Sequence, residues 1–451
     1  MTINERLAAI KKEGCVCGQS HNQVLPELIA GNLVFPAFLK WLQSHRVGSI
    51  FMVADKNTYE AAGRDLHKEL LFNRFKLDLL VFEASPEPDE SAVNHVLEHV
   101  PKDVSLLLFV GSGTLNDIGK MIAHECRLPY VIYATAPSMD GYTSSTASML
   151  WKGRKVSLNA KAPDLVVAEY HVLQKAPKLT FQSGIGDMAA KAVSIPEWKV
   201  ASLITGEPYC EAIASLVTSS LEDALTSVDK LMQREEDAVR RLFDGLILSG
   251  YAMNLAGHSR PASGTEHYVS HVWDMRAAAL GKANDTHGRQ CGVGTLLTFK
   301  LFAAIEKLSP SLDKAKAHIE AFDLIAYQDM LRDILGDAAE PLIELEKKEK
   351  KYEENTVLKH TKQIVEHWSE IVSCYEQAGR LRPLVEKAFS VSDTPQTVDD
   401  LTVPDPEPKT VLKATKDIRD KYVSTRLLFD IGELDAVLDR LLPDQEMSGS
   451  R

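Results

Sequence analysis

The first third of the chain alternates short apolar runs with segments that carry apolar residues at helical spacing. Four runs have the length expected of buried strands: Val47–Asp55, Leu77–Glu83, Val104–Val110 and Tyr130–Ala134. The stretches between them predict three helices, over Thr58–Phe72, Ser91–Val100 and Asn116–Cys126. Strands that alternate with helices in this way indicate a parallel sheet, and ligands bind such sheets at the carboxyl ends of the strands.

The pattern changes in the middle of the chain. Thr146–Asn159 predicts a hairpin that turns at Gly153, and after about residue 178 long segments have helical spacing throughout. Three of these are Glu211–Ser227, Arg234–Ala256 and Lys314–Leu335. We therefore expect an α/β, Rossmann-like nucleotide-binding domain over residues 1–178 and an all-α domain over residues 179–451. The charged run Glu344–Glu354 is typical of a solvated helix face.

Composition narrows the class of protein. Of the 451 residues, 45% are hydrophobic, and the net charge is −12, so a folded globular chain is expected and a nucleic-acid-binding face is not. No apolar run is long enough to span a membrane, and the charged N-terminus has no signal-peptide core, so we expect a cytoplasmic protein with reduced thiols.

One group of cysteines is clustered near the N-terminus. Cys15, Cys17 and His21 follow one another within seven residues and could bind a soft metal. A structural zinc site needs four ligands, however, and this segment supplies three. The sequence therefore favours a surface segment over a metal site, and the role of the cluster stays open.

A glycine-rich turn follows the third predicted strand. Gly111 and Gly113 would let the backbone approach a phosphate at the start of the next helix. Asn116 stands where the usual dinucleotide fingerprint has its third glycine, so an ordinary strand-to-helix turn is a real alternative. Asp55 closes the first long strand, and the hydroxyl-rich segment 135–145 closes the fourth. These features fall on one sheet edge, which favours a nucleotide site.

The candidate metal ligands lie in the second half of the chain. His267 and His271 are four residues apart and share one helix face, although such pairs are also common in helices that bind no metal. His287 and Asp187 offer a third imidazole and a carboxylate. This combination suits zinc, iron or nickel.

Several of these segments resemble a known superfamily. GSGTLNDIGK (residues 111–120) is similar to the GGGxxxDxxK phosphate loop of the iron-containing alcohol dehydrogenases, glycerol dehydrogenases and dehydroquinate synthases. Other segments resemble one branch, the sn-glycerol-1-phosphate dehydrogenases, particularly the bacterial type: CVCGQSH, ATAPSMDGYTSS, SGIGDMAAK, SRPASGTEHYVSH, HGRQCGVGT and IRDKYVS. The chain departs from the common pattern at Ser112, within the glycine triplet, and at Glu169, where relatives often have Asp.

The resemblance implies a dehydroquinate synthase-like fold with the active site between the two domains. It implies a metal-dependent exchange of hydride between NAD(H) or NADP(H) and the pair dihydroxyacetone phosphate and sn-glycerol 1-phosphate. The metal ligands it implies are Asp187, His267 and His287, with zinc, nickel or iron as the ion. The cofactor positions it implies are Asp55, Gly111, Gly113, Asp117, Lys120, Thr135, Ser138 and Ser144.

Three further roles follow from the same resemblance and from elementary chemistry. Asp140 matches a carboxylate near the substrate hydroxyls, and His271 matches a histidine close to the metal that could relay a proton. A phosphorylated substrate needs cations in an acidic protein. Arg260 is the preferred candidate, with Lys152, Arg154 and Lys155 of the hairpin as alternatives. A homo-oligomer with no nucleic-acid partner is expected.

Three other functions remain open at this stage. A polyol dehydrogenase of the same superfamily would act on an unphosphorylated substrate such as glycerol. A synthase of the dehydroquinate type is disfavoured by Asp187, because those relatives carry Glu at this position. A binding protein that has lost activity is disfavoured by the intact set of metal ligands.

Overall fold

The computed structural model describes residues 3–8, 10, 13–152, 154–404 and 407–443. An α/β part comes first and an all-helical part follows, as the hydrophobic pattern predicts. The strands are β1 (Glu27–Gly31), β2 (Ser49–Asp55), β3 (Lys76–Phe82), β4 (Leu106–Gly111), β5 (Tyr130–Ala134), β6 (Thr146–Trp151), β7 (Arg154–Asn159) and β8 (Leu165–Glu169).

Six of these strands form one parallel sheet in the order β1–β8–β5–β4–β2–β3. The chain leaves β2 toward β3 on one side and returns to β4 on the other side, so the strand order reverses between β2 and β4. Such a switch point opens a crevice at the carboxyl ends of the two strands. Strands β6 and β7 form the predicted antiparallel hairpin, whose expected turn residue Gly153 lies outside the described residues.

Helices cover both faces of the sheet. In the α/β part they are α1 (Ile3–Leu7), α2 (Phe35–Ser44), α3 (Lys56–Thr58), α4 (Arg64–Phe72), α5 (Glu90–His99), α6 (Gly113–Cys126) and α7 (Tyr170–Gln174), and a π-helical turn over Tyr59–Gly63 joins α3 to α4. Helices α2 and α4 bury one face of the sheet. The other face packs on α5 and α6, and its core continues without a break into the helical part.

The helical part is built from sixteen described α-helices. They are α8 (Lys178–Ala189), α9 (Lys191–Thr205), α10 (Glu211–Leu225), α11 (Val228–Met232), α12 (Glu236–Ala256), α13 (Thr265–Leu280), α14 (His287–Ile305), α15 (Leu312–Ala321), α16 (Leu324–Leu335), α17 (Ala339–Glu349), α18 (Glu354–Glu366), α19 (Trp368–Gly379), α20 (Arg382–Ser392), α21 (Pro408–Thr415), α22 (Ser424–Asp430) and α23 (Leu434–Leu441). The domain boundary expected after residue 178 falls in the first turn of α8 and stays a prediction. Among the described helices, none is long and apolar enough to cross a bilayer.

Two expectations about single elements are wrong, and one strand was not predicted. Lys314–Leu335 is two helices, because the Asp323 side chain accepts the Ala326 N–H at 2.9 Å and starts a new helix. The charged run Glu344–Glu354 is interrupted at Lys350, whose φ is +55°, and its Glu346 is buried against Gln328. Strand β1 was missed because it is a short edge strand that is only partly buried.

Candidate active site

The predicted glycine-rich turn joins β4 to α6 at the switch point of the sheet. A Cβ atom on Gly111 would lie 2.6 Å from the Leu115 side chain, so a larger residue would not fit there. The Thr135 N–H donates to the Gly111 carbonyl at 3.1 Å, which places the hydroxyl-rich segment beside the turn. Thr135 and Ser138 are both buried at this edge. The structure therefore brings these two predicted cofactor segments together.

Asp55 lies at the end of β2, across the crevice from the glycine turn. Its Oδ1 accepts the Thr58 N–H at 2.8 Å and its own N–H donates to Thr58 Oγ1 at 3.0 Å, so the side chain caps α3. The carboxylate thus has a structural role at the position where the resemblance implies contact with the adenosine ribose. The ribose contact itself stays a prediction.

Lys120, Asp117 and Ser144 form a buried network behind the turn. The Lys120 ammonium is fully buried, lies 3.1 Å from Asp117 Oδ1 and donates to Ser144 Oγ at 3.1 Å. It also donates to the carbonyls of Gly141 and Thr146, at 2.5 and 2.9 Å. These contacts tie α6 to the segment that follows β5. In this arrangement Lys120 holds the loop in place, and its direct contact with a cofactor remains untested.

The three predicted metal ligands converge from three helices. Asp187 is on α8, His267 is in the first turn of α13, and His287 is the first residue of α14. His267 Nε2 lies 3.6 Å from Asp187 Oδ1, and the two imidazole ring centres are 5.0 Å apart. We call Asp187, His267 and His287 the cleft metal group.

Glycines let the supporting elements approach closely enough to form this group. A Cβ on Gly186 of α8 would lie 2.0 Å from the Gly288 carbonyl oxygen, and one on Gly288 would lie 1.9 Å from the Ser183 carbonyl oxygen. A Cβ on Gly184 would lie 2.0 Å from the Pro137 carbonyl oxygen. These glycines occur in the SGIGD and HGRQ segments, but their role as contact points between backbones was not predicted.

Polar partners fix both imidazoles in the orientation that a metal requires. His267 Nδ1 lies 2.8 Å from Glu266 Oε1, so its proton is assigned to Nδ1 and Nε2 is left to face Asp187. His287 Nδ1 lies 2.9 Å from Ser270 Oγ, whose own proton goes to Gln290 Oε1 at 2.7 Å. Burial, followed by the charge of Lys191, holds the pKa of His267 well below its usual value, which keeps the ring neutral. Neither Glu266 nor Ser270 was predicted.

Cys291 lies close to the same two histidines, and its Sγ is 3.5 Å from His287 Nε2. Burial and the carboxylates of Asp187 and Glu266 raise the pKa of its thiol well above the usual value. Cys291 therefore lies beside the two histidines as a protonated thiol. Burial, followed by the charge of Asp140, raises the pKa of Asp187 above its usual value. Two imidazoles with one carboxylate fit zinc, nickel or iron.

Lys191 is a functional residue that sequence reasoning missed. Its ammonium is fully buried, 2.7 Å from Asp140 Oδ2 and 3.2 Å from Asp187 Oδ1. Burial lowers the pKa of Lys191, but the two carboxylates outweigh burial and raise it above the usual value. The Asp140 N–H donates to Asp187 Oδ2 at 2.8 Å, and Ser249 donates to Asp140 Oδ2 at 2.8 Å. The i, i+4 spacing of Asp187 and Lys191 on one helix was the available signal.

His271 lies one turn after His267 on α13 and is buried. Its ring stacks on that of His287 with the ring centres 5.9 Å apart. This position beside the cleft metal group agrees with the predicted placement, while the proton-relay role stays a prediction.

A cavity of about 890 Å³ lies between the β6–β7 hairpin and the helical part, and its lining does not include Asp187, His267 or His287. Arg260, Arg419 and Lys421 line it. The segment 259–263 contacts residues of both sites: Lys421 donates to the carbonyls of Ser259 and Ser263, and Lys191 donates to that of Ala262.

Arg260 is less available than predicted. One of its terminal nitrogens donates to the Tyr422 carbonyl at 2.7 Å and the other to Glu207 at 2.5 Å. Arg419 Nη1 donates to Ser157 of the hairpin at 2.9 Å, and its Nη2 is buried with no hydrogen-bond partner among the described residues. Arg419 and Lys421 were not predicted. The side chains of Arg154 and Lys155, two of the alternatives, lie outside the described residues.

Comparison with known proteins identifies the family. Residues 31–177 match the family model described as iron-containing alcohol dehydrogenase. The glycerol-1-phosphate dehydrogenase [NAD(P)+] of Geobacillus stearothermophilus is 32% identical over 314 residues, which cover 67% of this chain and 78% of that protein. The corresponding enzyme of Geobacillus thermodenitrificans is 30% identical over 335 residues, covering 72% and 82%. The chain belongs to the glycerol-1-phosphate dehydrogenase family. The resemblance seen in the sequence is therefore confirmed.

Solved structures of the wider superfamily confirm the fold of this family member. Sulfoacetaldehyde reductase from Bifidobacterium kashiwanohense, solved in complex with NAD+, matches 94% of this chain and 99% of its own with a TM-score of 0.58 at 14% identity. A probable glycerol dehydrogenase from Sinorhizobium meliloti 1021 matches 92% and 98% with a TM-score of 0.55 at 17% identity. The family is one of NAD(P)-linked oxidoreductases.

Proposed function

We propose that this chain reduces dihydroxyacetone phosphate to sn-glycerol 1-phosphate with NADH or NADPH and catalyses the reverse reaction. The observation that carries the proposal is the cleft metal group. Two imidazoles each have Nδ1 held by a polar partner; His267 presents Nε2 to the Asp187 carboxylate, and the His287 ring lies 5.0 Å from that of His267 between ring centres. These residues belong to the helical part and meet the segment after β5, where the cofactor is expected, through the Asp140 N–H that donates to Asp187 Oδ2.

Asp187, His267 and His287 would hold one divalent ion, either zinc, nickel or iron. When bound, such an ion supplies Lewis acidity that stabilises negative charge on the substrate oxygen. The chain itself supplies the surroundings. Asp140 accepts hydrogen bonds from Lys191 and Ser249, and it would orient a substrate hydroxyl from this fixed position. His271 would pass the proton of the alcohol toward solvent.

The cationic cavity supports a phosphorylated substrate. Burial, followed by the charges of Arg260 and Arg419, holds the pKa of Lys421 well below its usual value. Repulsion among these cations would be relieved by a dianionic phosphate, which accepts charge-assisted hydrogen bonds. Arg419 lines the cavity, and its Nη2 has no hydrogen-bond partner among the described residues, which makes it our preferred donor for such a bond. We therefore assign the phosphate to Arg419 and Lys421, with Arg260 as a further contact.

The test is oxidation of NADH and NADPH by protein stripped of metal and reloaded with Zn²⁺, Ni²⁺ or Fe²⁺. Metal-dependent turnover with dihydroxyacetone phosphate, and little with dihydroxyacetone, is the expected result. Turnover only with the unphosphorylated ketone would contradict the proposal and favour a polyol dehydrogenase. The homo-oligomeric state and the cytoplasmic location expected from the sequence stay predictions.

The phosphate assignment has its own test in Arg419→Met. A charged hydrogen bond is worth about 1.5–3 kcal/mol, so KM for dihydroxyacetone phosphate should rise about 10- to 100-fold. Activity with high dihydroxyacetone should stay close to that of the wild type. Arg332→Met is the control, since Arg332 is half-exposed on α16 and pairs with Glu340 and Asp329 outside the cavity.

A further inference from the structure

The cysteine cluster near the N-terminus gains a fourth member in the folded chain. Cys210, just before α10, lies beside Cys15, Cys17 and His21. One ligand atom of each of these four residues lies within 4.8 Å of the others. We call these residues the N-terminal cysteine group. The segment is largely exposed, as expected, but three is not the full number of candidate ligands, because Cys210 is a fourth; His21 and Cys210 are buried, at 2% and 3% exposed.

Distances within the group fit tetrahedral coordination. Zn–S bonds of about 2.3 Å and Zn–N bonds of about 2.0 Å place two sulfurs ~3.7 Å apart and a sulfur and a nitrogen ~3.5 Å apart. Cys15 Sγ and Cys210 Sγ are 3.7 Å apart, and Cys17 Sγ lies 3.2 Å from His21 Nε2. A disulfide would require ~2.05 Å, so the cysteines are separate thiols placed around a common centre.

His21 is oriented as a metal ligand. Its Nδ1 donates to the Leu255 carbonyl at 2.8 Å, near the end of α12, so Nε2 carries the lone pair that faces the cysteines. A hydrogen bond from the second nitrogen to a carbonyl is the usual support of a metal-bound histidine. The same contact fixes His21 to the helical part of the molecule.

The segment that carries these residues has little else to hold it. It contains no helix or strand between residues 13 and 24, and its Val16 and Val24 side chains are 99% and 96% exposed. A turn in which the Gly18 N–H donates to the Cys15 carbonyl at 2.9 Å places Cys15 and Cys17 on the same side. Gly18 has φ +76°, a conformation that favours glycine. The turn therefore places the Cys15 and Cys17 sulfurs on one side of the segment. Val16 and Val24 do not help to hold it, because both are exposed.

We propose that Cys15, Cys17, His21 and Cys210 bind one structural Zn²⁺ ion that holds the N-terminal segment on α10 and α12. Four protein ligands fill a tetrahedral site, so this ion has no open position for substrate. It is separate from the cleft metal group and independent of the proposed dehydrogenase activity. Three of its ligands precede β1 in the sequence and the fourth precedes α10, so the ion would link the start of the α/β part to the helical part.

The test is metal analysis and Co²⁺ spectroscopy of the full-length protein. We expect wild-type protein to hold one equivalent of zinc that requires thiol modification for release, in addition to the cleft ion. Replacement by Co²⁺ should give intense thiolate-to-cobalt charge-transfer absorption. Cys210→Ser should lose this absorption and one equivalent of zinc, whereas Cys126→Ser should keep both, because Cys126 lies at the end of α6 outside the group.

Asp187→Asn separates this site from the proposed active site. This variant should lose the cleft ion and keep the thiolate absorption. If Cys210→Ser does not fold, wild-type protein still decides the matter through zinc release on mercurial titration of its thiols. Wild-type protein that gives no thiolate–cobalt absorption would overturn the proposal, as would a native mass showing a Cys15–Cys210 disulfide.

Discussion

The cleft metal group and the N-terminal cysteine group are assembled in different ways. The cleft ligands are carried by α8, α13 and α14, whose positions are fixed by packing and by contacts between glycines. The N-terminal cysteine group takes three of its ligands from an irregular segment and one from the residue before α10. In the first case the protein imposes its geometry on the ion, and in the second the ion would impose its geometry on the protein.

The two groups also differ in the types of ligand that they offer. One carboxylate and two imidazoles leave coordination positions for a substrate, as catalytic sites require. Three sulfurs and one imidazole close a tetrahedral shell, as structural sites require. The comparison therefore teaches that the loss of each ion should have a different consequence: loss of turnover in one case, and loss of local structure in the other.

The largest expected effect is that of Asp187→Asn on turnover. The Asn side chain can still accept the Asp140 N–H, so the fold should be kept, but the metal loses its anionic ligand. Loss of Lewis acid catalysis worth about 4 kcal/mol lowers kcat/KM about 10³-fold. Steady-state kinetics and metal content would measure this. Asp229→Asn, on the surface of α11, is the control and should behave as wild type. Full turnover in Asp187→Asn would remove the metal mechanism.

The next largest effect is a different response of the two metal groups to chelation. A chelator that reaches the open cleft site should abolish activity while the thiolate-bound zinc remains. Complete removal of zinc, by chelation after thiol modification, should then speed amide hydrogen exchange in residues 13–24 and leave α8 and α14 nearly unchanged. Mass spectrometry of exchanged peptides would measure this. Equal deprotection of both regions would show that the two ions play the same kind of role.

The sequence alone was enough to predict the members of each group that lie close together along the chain or within a family motif. The sheet order could not be read from it, but the βαβ pattern predicted a parallel sheet, and the resemblance predicted Asp187, His267 and His287. Cys15, Cys17 and His21 were visible within one heptapeptide. Cys210 was not, because it is 195 residues away from Cys15 and nothing in its own segment marks it as a ligand.

The contacts that orient the histidines and pair Arg260 could not be predicted from the sequence, because they too depend on the folded chain. Glu266 and Ser270 flank His267 in the sequence, but which neighbour turns toward an imidazole depends on how α13 packs on α14. Arg260 was predicted as a cation that binds the substrate phosphate, and its pairing with Glu207 arises only in the folded chain. Local pattern and the family resemblance thus indicate candidate ligands more readily than the groups that orient them.

Glu266→Gln tests how far the protein imposes geometry on the cleft ion. Burial, followed by the charge of Glu197, raises the pKa of Glu266 to about 8, so the test is made above that pH, where the carboxylate is charged. The Gln amide oxygen still accepts the His267 proton, but without charge, so the imidazole becomes a weaker ligand. Loss of such an outer partner typically lowers metal affinity about 10- to 100-fold. Competition with a chromophoric chelator would measure the affinity. Glu340→Gln, an exposed residue on α17, is the matched control. Unchanged affinity would mean that helix packing alone orients His267.

Ser270→Ala should have the smallest effect, because it removes a neutral partner from the other histidine. The Ser270 hydroxyl joins His287 Nδ1 to Gln290, and a neutral hydrogen bond contributes about 0.5–1.5 kcal/mol. The metal affinity should fall about 2- to 10-fold, less than in Glu266→Gln, and the thiolate–cobalt absorption of the N-terminal cysteine group should not change. The same chelator competition measures the affinity, and a Ser270→Thr variant, which keeps the hydroxyl, should recover most of the loss. A larger loss in Ser270→Ala than in Glu266→Gln would show that the charge of Glu266 is not what orients the cleft ligands.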